Sequence, residues 1–279
     1  MTADSYYIFR SSELFLTPDH TLPDRFPEIL ADSIVDSLDL EVAGIRSRAI
    51  LLRDELPRSA VVQGSVSGPG ITADGRGPGV PEGVWLRLRA ISGSDDPAIR
   101  SLTAPASRAL GLLNWHHSTR FCPQCGARLE DHPVELARVC PSCTRLIFPR
   151  ISPAIIVLVR KEGRILLARH AHRNQDVYAC IAGFLEHGET LEECVAREVR
   201  EETGIEVGNV TYAGSQSWPF PDQHMVAFYA DWVSGDIRVD GSEIAEARWF
   251  DPAKLPNTPM PGTIAWKLIT GAVESMSKR

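Results

Sequence analysis

Residues 183–205, GFLEHGETLEECVAREVREETGI, constrain this chain more tightly than any other stretch. At 100° per residue, Glu198, Glu201 and Glu202 fall within an arc of roughly 100° on one helix face. Like charges three and four residues apart repel, so such a face is either fully solvated or holds a cation. Leu191, Val195 and Val199 form a neighbouring apolar stripe able to seat the helix on a sheet. Arg197 stands four residues before Glu201 and can pair with it. The remaining carboxylates suit a hard divalent ion, Mg²⁺ or Mn²⁺. Glycines bracket the segment: Gly183 and Gly188 in the entering loop, and Gly204 where a helix C-cap glycine belongs.

A second constraint lies upstream. Cys122 and Cys125 form one CxxC pair and Cys140 and Cys143 another, with 14 residues between them. Two such turns supply four sulfurs to a tetrahedral Zn²⁺, and four protein ligands close the site, so the spacing predicts one structural zinc per chain. Cys180 and Cys194 stand alone in apolar settings and read as small buried hydrophobes. Unpaired cysteines in a metal-type pattern belong to a reducing compartment, which predicts the cytoplasm. The N-terminus lacks a secretory pattern, no run of 18 or more apolar residues is present, and no membrane partner is expected.

The 279 residues carry 43% hydrophobic and 23% charged side chains, the balance of a globular protein, and a formal charge of −7 argues against a general nucleic-acid binder. Arg120, Arg128, Arg138, Arg145 and Arg150 surround the cysteines but are offset by Glu130, Asp131 and Glu135. Strands are expected at 47–53, 60–66 and 83–91, with a Gly/Pro-rich loop over 68–83. Asp96 before Pro97 signals a helix start, and a second helix is expected from Pro105 toward Cys122. Runs at 153–160 and 164–169 read as a hairpin whose first strand is buried on both faces. Further strands are expected at 225–233 and 246–250, and a final helix at about 262–276. The chain thus divides into an N-terminal α/β domain (1–115), a four-cysteine ribbon (116–150) and a C-terminal domain (151–279).

The complete spacing of the first stretch carries a resemblance. Gly183, five residues, Glu189, seven residues, Arg197-Glu198-Val199, one residue, Glu201-Glu202, one residue, Gly204-Ile205 matches the Nudix box at every position. The sequence resembles the Nudix hydrolases, which split a nucleoside diphosphate linked to another group. That resemblance implies an α/β fold, with a Nudix α/β/α sandwich at the C-terminus, and catalytic divalent ions on Glu198, Glu201 and Glu202. The segment SQSWPFPDQHM (215–225) is similar to the SQPWPFPxS signature of NADH pyrophosphatases, and a four-cysteine segment ending in FPRISP (148–153) directly before the box-bearing domain resembles that subfamily's architecture.

The subfamily resemblance implies hydrolysis of NADH or NAD⁺ to nicotinamide mononucleotide and AMP, removal of NAD caps from RNA, and a homodimer. It implies substrate contacts at Phe148, at Gln216, Ser217, Trp218, Pro219, Phe220, Pro221, Asp222 and Gln223, and at Glu135, Ala265 and Arg89. It also adds Glu243 and the Ala182 carbonyl to the divalent site. Trp218 and Phe220 between prolines would form an aromatic platform. Ser217 replaces the signature's proline and Gln223 its serine, so a Nudix hydrolase for ADP-ribose or another dinucleoside diphosphate stands as the alternative. An RNA-processing factor, in which the ribbon and its basic residues recruit capped RNA, is a further alternative, told apart by steep salt dependence. His187 in the box loop reads either as a proton shuttle or as an exposed loop residue.

Overall fold

The computed structural model describes residues 5–42, 44–53, 71–72, 83–172, 176–239 and 241–277. They fall into two compact units, Met1–Ile151 with Pro219–Asp222, and Ser152–Trp218 with Gln223–Arg279. The expected strand at 60–66 lies outside the described residues, as does the expected loop over 68–83 apart from residues 71–72 and 83.

The first unit is built on β1 (Ser5–Arg10), β2 (Glu13–Leu16), β3 (Ile34–Val42), β4 (Ile45–Leu52), β5 (Ile71–Thr72) and β6 (Val84–Arg87). They form one sheet in the order β3-β4-β1-β2-β6-β5, antiparallel except for the β1–β4 pair. Three helices follow, α1 (Leu88–Ile91), α2 (Pro97–Ser101) and α3 (Thr103–Ser118). The strand expected over 83–91 therefore ends at Arg87, and Arg89 sits in a one-turn helix. Asp96 caps α2 as its sequence signals, its Oδ1 accepting the Ala98 N–H at 2.8 Å, with Pro97 at the first position. One sheet face buries Phe9, Leu14 and Leu16 against Ala106, Leu110 and Leu113 of α3. The other buries Ile8, Ile50 and Trp85. A three-stranded ribbon, β7 (Glu130–Asp131), β8 (Arg138–Val139) and β9 (Leu146–Ile147), completes the unit.

His116, 8% exposed, joins the ribbon to that sheet. Its Nδ1 lies 2.9 Å from Asp36 on β3 and its Nε2 lies 3.0 Å from Asp131 on β7. Carboxylates only accept, so both ring nitrogens must donate, and the ring is the imidazolium. The hydrogen bond to Asp36 raises the His116 pKa against the opposing effect of burial. Burial would raise Asp36, but the hydrogen bond and charge of His116 outweigh it and lower the carboxyl.

The raised His116 contributes stability fully below about pH 6.5 and loses it as pH climbs through its folded value; Asp36 contributes above about pH 4 and loses it on acidification. His116→Gln is therefore expected to lower Tm most at mildly acidic pH, below about pH 6.5, and progressively less as pH rises through the folded value of His116. Thermal melts across pH check this; a pH-independent loss would show that charge plays no part.

In the second unit, β10 (Ser152–Lys161), β11 (Arg164–His170), β12 (Ile181–Phe184), β13 (Glu206–Trp218), β14 (Gln223–Ser234) and β15 (Ile244–Phe250) accompany α4 (Leu191–Thr203) and α5 (Ile264–Ser277). The sheet order is β13-β14-β10-β11-β15, with β12 paired to β10 and only β10–β14 parallel. The expected hairpin is present, with Glu162 and Gly163 both at positive φ as a two-residue turn between right-twisted strands requires.

Strand β10 is buried on both faces because a helix covers each. Ile155, Val157 and Val159 meet Cys194, Val195 and Val199 of α4. Ala154, Ile156 and Leu158 meet Ile264, Leu268 and Ile269 of α5. The result is an α/β/α sandwich, in which each fully buried Val on α4 stabilises the seating by about 1.5–3 kcal/mol.

Strand β13, the longest among the described residues at 13 residues, has no counterpart among the sequence expectations. Register shifts at Glu206/Val207, Gly208/Thr211 and Tyr212/Gly214 break its two-residue alternation, and Gly208 and Gly214 remove side chains from it.

Candidate active site and metal centre

Helix α4 is placed by its ends. Thr190 Oγ1 accepts the Glu193 N–H at 3.2 Å, while Glu193 Oε2 accepts the Thr190 N–H at 2.8 Å, a reciprocal capping box. Gly204 closes the helix at φ +75°. With Val195 and Val199 facing the sheet, the box glutamates turn toward the end of β12.

The glutamates do not share one environment. Arg197 is 16% exposed and pairs with Glu189, with Glu198 at 2.9 Å and with Glu201 at 3.0 Å, while also donating to the Phe184 carbonyl at 2.9 Å. Sequence spacing alone suggested only the Glu201 pair. The hydrogen bond from Arg197 lowers Glu189 to about 2, so this carboxylate orients the arginine instead of facing substrate. Burial raises Glu198 against the pull of Arg197. Glu202 is 9% exposed, and its Oε2 is buried with no hydrogen-bond partner. Burial, and then the charges of Glu198, Glu243 and Glu201, push its carboxyl up to about 8. A buried carboxylate oxygen without a donor, among three other carboxylates, fits a hard cation as its missing partner.

Arg197, Glu198, Glu201 and Glu202 line a cavity of about 640 Å³, together with Glu243, Ala182 and Gly183. Trp218, Gln223 and Ala265 line the same cavity, so sequence-predicted metal and substrate residues meet there. Glu243 reaches it through a bulge: Arg169 pairs with Glu246 but His170 with Ile244, and the Glu243 carbonyl accepts the Ala171 N–H at 2.8 Å. His170 and Glu186 also line the cavity, and nothing in their local pattern singled them out. His187 is exposed and lies off the cavity wall.

Gly183 explains why the first box position has no side chain. A Cβ there would lie 1.9 Å from Cδ of Glu198. The obstruction is the end of a flexible side chain, so Gly183→Ala should cost little stability but evict the Glu198 carboxylate. We expect a loss of about 10²-fold or more in kcat with Tm nearly unchanged, measured by steady-state kinetics and melts. Full activity would show that Glu198 need not rest there.

The other expected contacts fall elsewhere. Ser217 is exposed on β13, paired with His224. Gln216 bonds its amide to the backbone before α5. Pro219, Phe220, Pro221 and Asp222 belong to the first unit. There Asn114 Nδ2 on α3 reaches the carbonyls of Pro219 and Pro221, both at 3.3 Å. The Phe220 ring packs on the first unit's core beneath Arg89, whose guanidinium carbon is 4.5 Å from the ring centroid. Glu135 lines a separate cavity of about 280 Å³ in the first unit, and Phe148 is 52% exposed on the ribbon.

The four cysteine sulfurs converge within 4.8 Å of one another. Cys125 lies 3.4 Å from Cys140 and 3.8 Å from Cys143, and Cys122 lies 3.6 Å from Cys143. Sulfurs at about 2.3 Å from a tetrahedral zinc stand roughly 3.8 Å apart, so the cluster fits that ion. Backbone N–H groups of Gln124 and Cys125 point at the Cys122 sulfur and help to lower its pKa to about 6. By contrast, burial pushes the Cys180 and Cys194 thiols up to about 12, as expected of inert core residues.

Family models match both the ribbon and the second unit. The model of the NADH pyrophosphatase zinc ribbon domain matches residues 117–148 and that of the NUDIX domain matches residues 149–270. A Shigella dysenteriae protein named NAD-capped RNA hydrolase NudC is 38% identical over 250 residues, covering 87% of this chain and 96% of that protein. The chain belongs to the Nudix hydrolases. A Vibrio atlanticus relative of the same name is 49% identical over 173 residues, which span 62% of this chain and 64% of that Nudix protein. One from Chromobacterium violaceum is 47% identical over 196 residues, covering 69% and 71%. The α/β/α sandwich is thus the Nudix fold, and the four thiolates are a structural zinc site beside it in sequence.

Proposed function

We propose that this chain hydrolyses the pyrophosphate bond of NADH or NAD⁺ to nicotinamide mononucleotide and AMP, and removes NAD caps from RNA. One observation carries the reading: a single cavity of ligand size is lined by the box glutamates, Glu243 and an aromatic wall at Trp218. The relatives named NAD-capped RNA hydrolase support the same substrate. Among the described residues no helix is long and apolar enough to cross a membrane.

Glu198, Glu201, Glu202 and Glu243, with the Ala182 carbonyl, would hold Mg²⁺ or Mn²⁺. Such an ion, when bound, neutralises charge growing on the pyrophosphate oxygens and acidifies the attacking water. Arg197 keeps Glu198 and Glu201 in place, and Glu189 keeps Arg197 in place. Trp218 offers a face for a base or nicotinamide ring, and Met225 and Ile264 add an apolar wall to the same cavity. A carboxylate among the four receives the proton of the water.

A homodimer is proposed on the exposed apolar side chains Phe121, Leu146, Phe148 and Ile151 of the first unit, which sedimentation equilibrium tests. A cytoplasmic location is proposed on the zinc-thiolate chemistry of the four ribbon cysteines.

Purified protein with Mg²⁺ or Mn²⁺ is given NADH, NAD⁺, ADP-ribose and NAD-capped RNA in parallel. AMP and the mononucleotide from NADH, abolished by Glu201→Gln, are expected. Turnover of ADP-ribose alone would keep the chemistry and discard the substrate.

A further inference from the structure

Helix α5 starts at the cavity wall, and its first turn is held from outside the helix. A helix leaves its first four N–H groups without intrahelical partners. Thr263 Oγ1 accepts the Trp266 N–H at 3.2 Å and donates to the Met260 carbonyl at 2.8 Å. Gln216 supplies the neighbouring pair. Its Oε1 accepts the Ile264 N–H at 2.7 Å, and its Nε2 donates to the Gly262 carbonyl at 3.0 Å.

One amide therefore satisfies a backbone donor and a backbone acceptor two residues apart. Only a carboxamide can do both, because a carboxylate has no hydrogen to give and a hydroxyl is too short. Gln216 pairs in register with Met225 on β14, and Trp218, two residues on, shares its face of β13. Thr263, Ile264 and Ala265, the segment so held, line the cavity together with Trp218, Met225 and Gln223, whereas Gln216 itself does not.

We propose that Gln216 is a positioning residue: it locks Thr263–Ala265 as the cavity wall and so sets dinucleotide affinity without touching the substrate. The proposal rests on reading this cavity as the dinucleotide site. Without the amide, Ile264 N–H and Gly262 C=O must find water, and the first turn of α5 frays toward the cavity. The wall then has to be ordered by the substrate at the moment of binding, which weakens binding before any chemistry begins.

The test uses full-length wild type, Gln216→Ala, Gln216→Glu and Gln216→Asn, with hydrogen exchange at the Ile264 amide in the absence of substrate and kinetics on NADH. In the Ala and Glu variants the Ile264 amide should exchange at least about tenfold faster, and KM should rise roughly tenfold with kcat within about twofold. Gln216→Glu should be no better than Ala, because it keeps the acceptor and loses the donor. Gln216→Asn keeps the amide but falls one methylene short, and should lie between Ala and wild type. Unchanged Ile264 exchange in Gln216→Ala overturns the positioning role, whatever the substrate. Faster exchange with unaltered KM, or a fall in kcat at constant KM, overturns the link to affinity. A wild type that leaves NADH intact overturns the dinucleotide reading, and the affinity claim with it.

Discussion

Glu202→Gln is expected to lower kcat by about 10²–10⁴-fold while raising the melting temperature. The two effects share one cause. Glu202 Oε2 is buried without a donor, and burial with the charges of Glu198, Glu243 and Glu201 pushes the carboxyl up to about 8. A carboxyl raised this far opposes folding progressively as pH climbs from its ordinary value near 4.3 to its folded value, because the folded protein must keep a proton that the unfolded chain releases. Glutamine keeps the shape without the charge, so the gain in Tm should be absent near pH 4 and largest at pH 8, without added divalent ions. It also removes the oxygen best suited to a hard cation. Melts at the two pH values and single-turnover kinetics with Mg²⁺ check both halves. A Tm that falls at pH 8, or a kcat within tenfold of wild type, would show that Glu202 is neither strained nor essential.

Loss of one cysteine ligand should unfold the ribbon. Cys140→Ser is expected to abolish the single zinc per chain and the amide protection of β7, β8 and β9. The buried apolar cluster there contains only Cys122, Leu129 and Cys140, too little to hold three two-residue strands. Metal binding supplies the missing stability, with apparent free energies of about 10–16 kcal/mol for structural zinc. Because His116 ties Asp131 of the ribbon to Asp36 of the sheet, the loss should spread to β3. Native-state mass spectrometry and hydrogen exchange measure both consequences. Retention of zinc or of β7–β9 protection in the variant would mean that three ligands suffice.

Much of the fold was legible because its signals are local. The Asp96–Pro97 start, the turn after Lys161, the buried run of β10 and the Gly204 cap each depend on a few neighbouring residues, and the structure realises them. Strand β13 was not legible, because bulges and glycines erase its alternation and its register is set by β14. Arg89 was assigned to a strand because the apolar run continues past Arg87, whereas the chain turns there into a short helix packed on α3.

The functional residues divide along the same line. The helical spacing of the box glutamates, the Gly204 cap and the four cysteine ligands could be read from the chain alone, because spacing along a helix or a CxxC turn is itself a geometry. Three-dimensional packing settled that Arg197 takes up Glu198 as well as Glu201, that Glu202 is the buried carboxylate without a partner, and that Gly183 is small to admit Glu198. It also divided the segment 216–223: Trp218 and Gln223 line the cavity, Gln216 holds α5, and Phe220 packs under Arg89. Side chains on a strand and its turn find their partners across the sheet or in another element, at a distance no local spacing encodes.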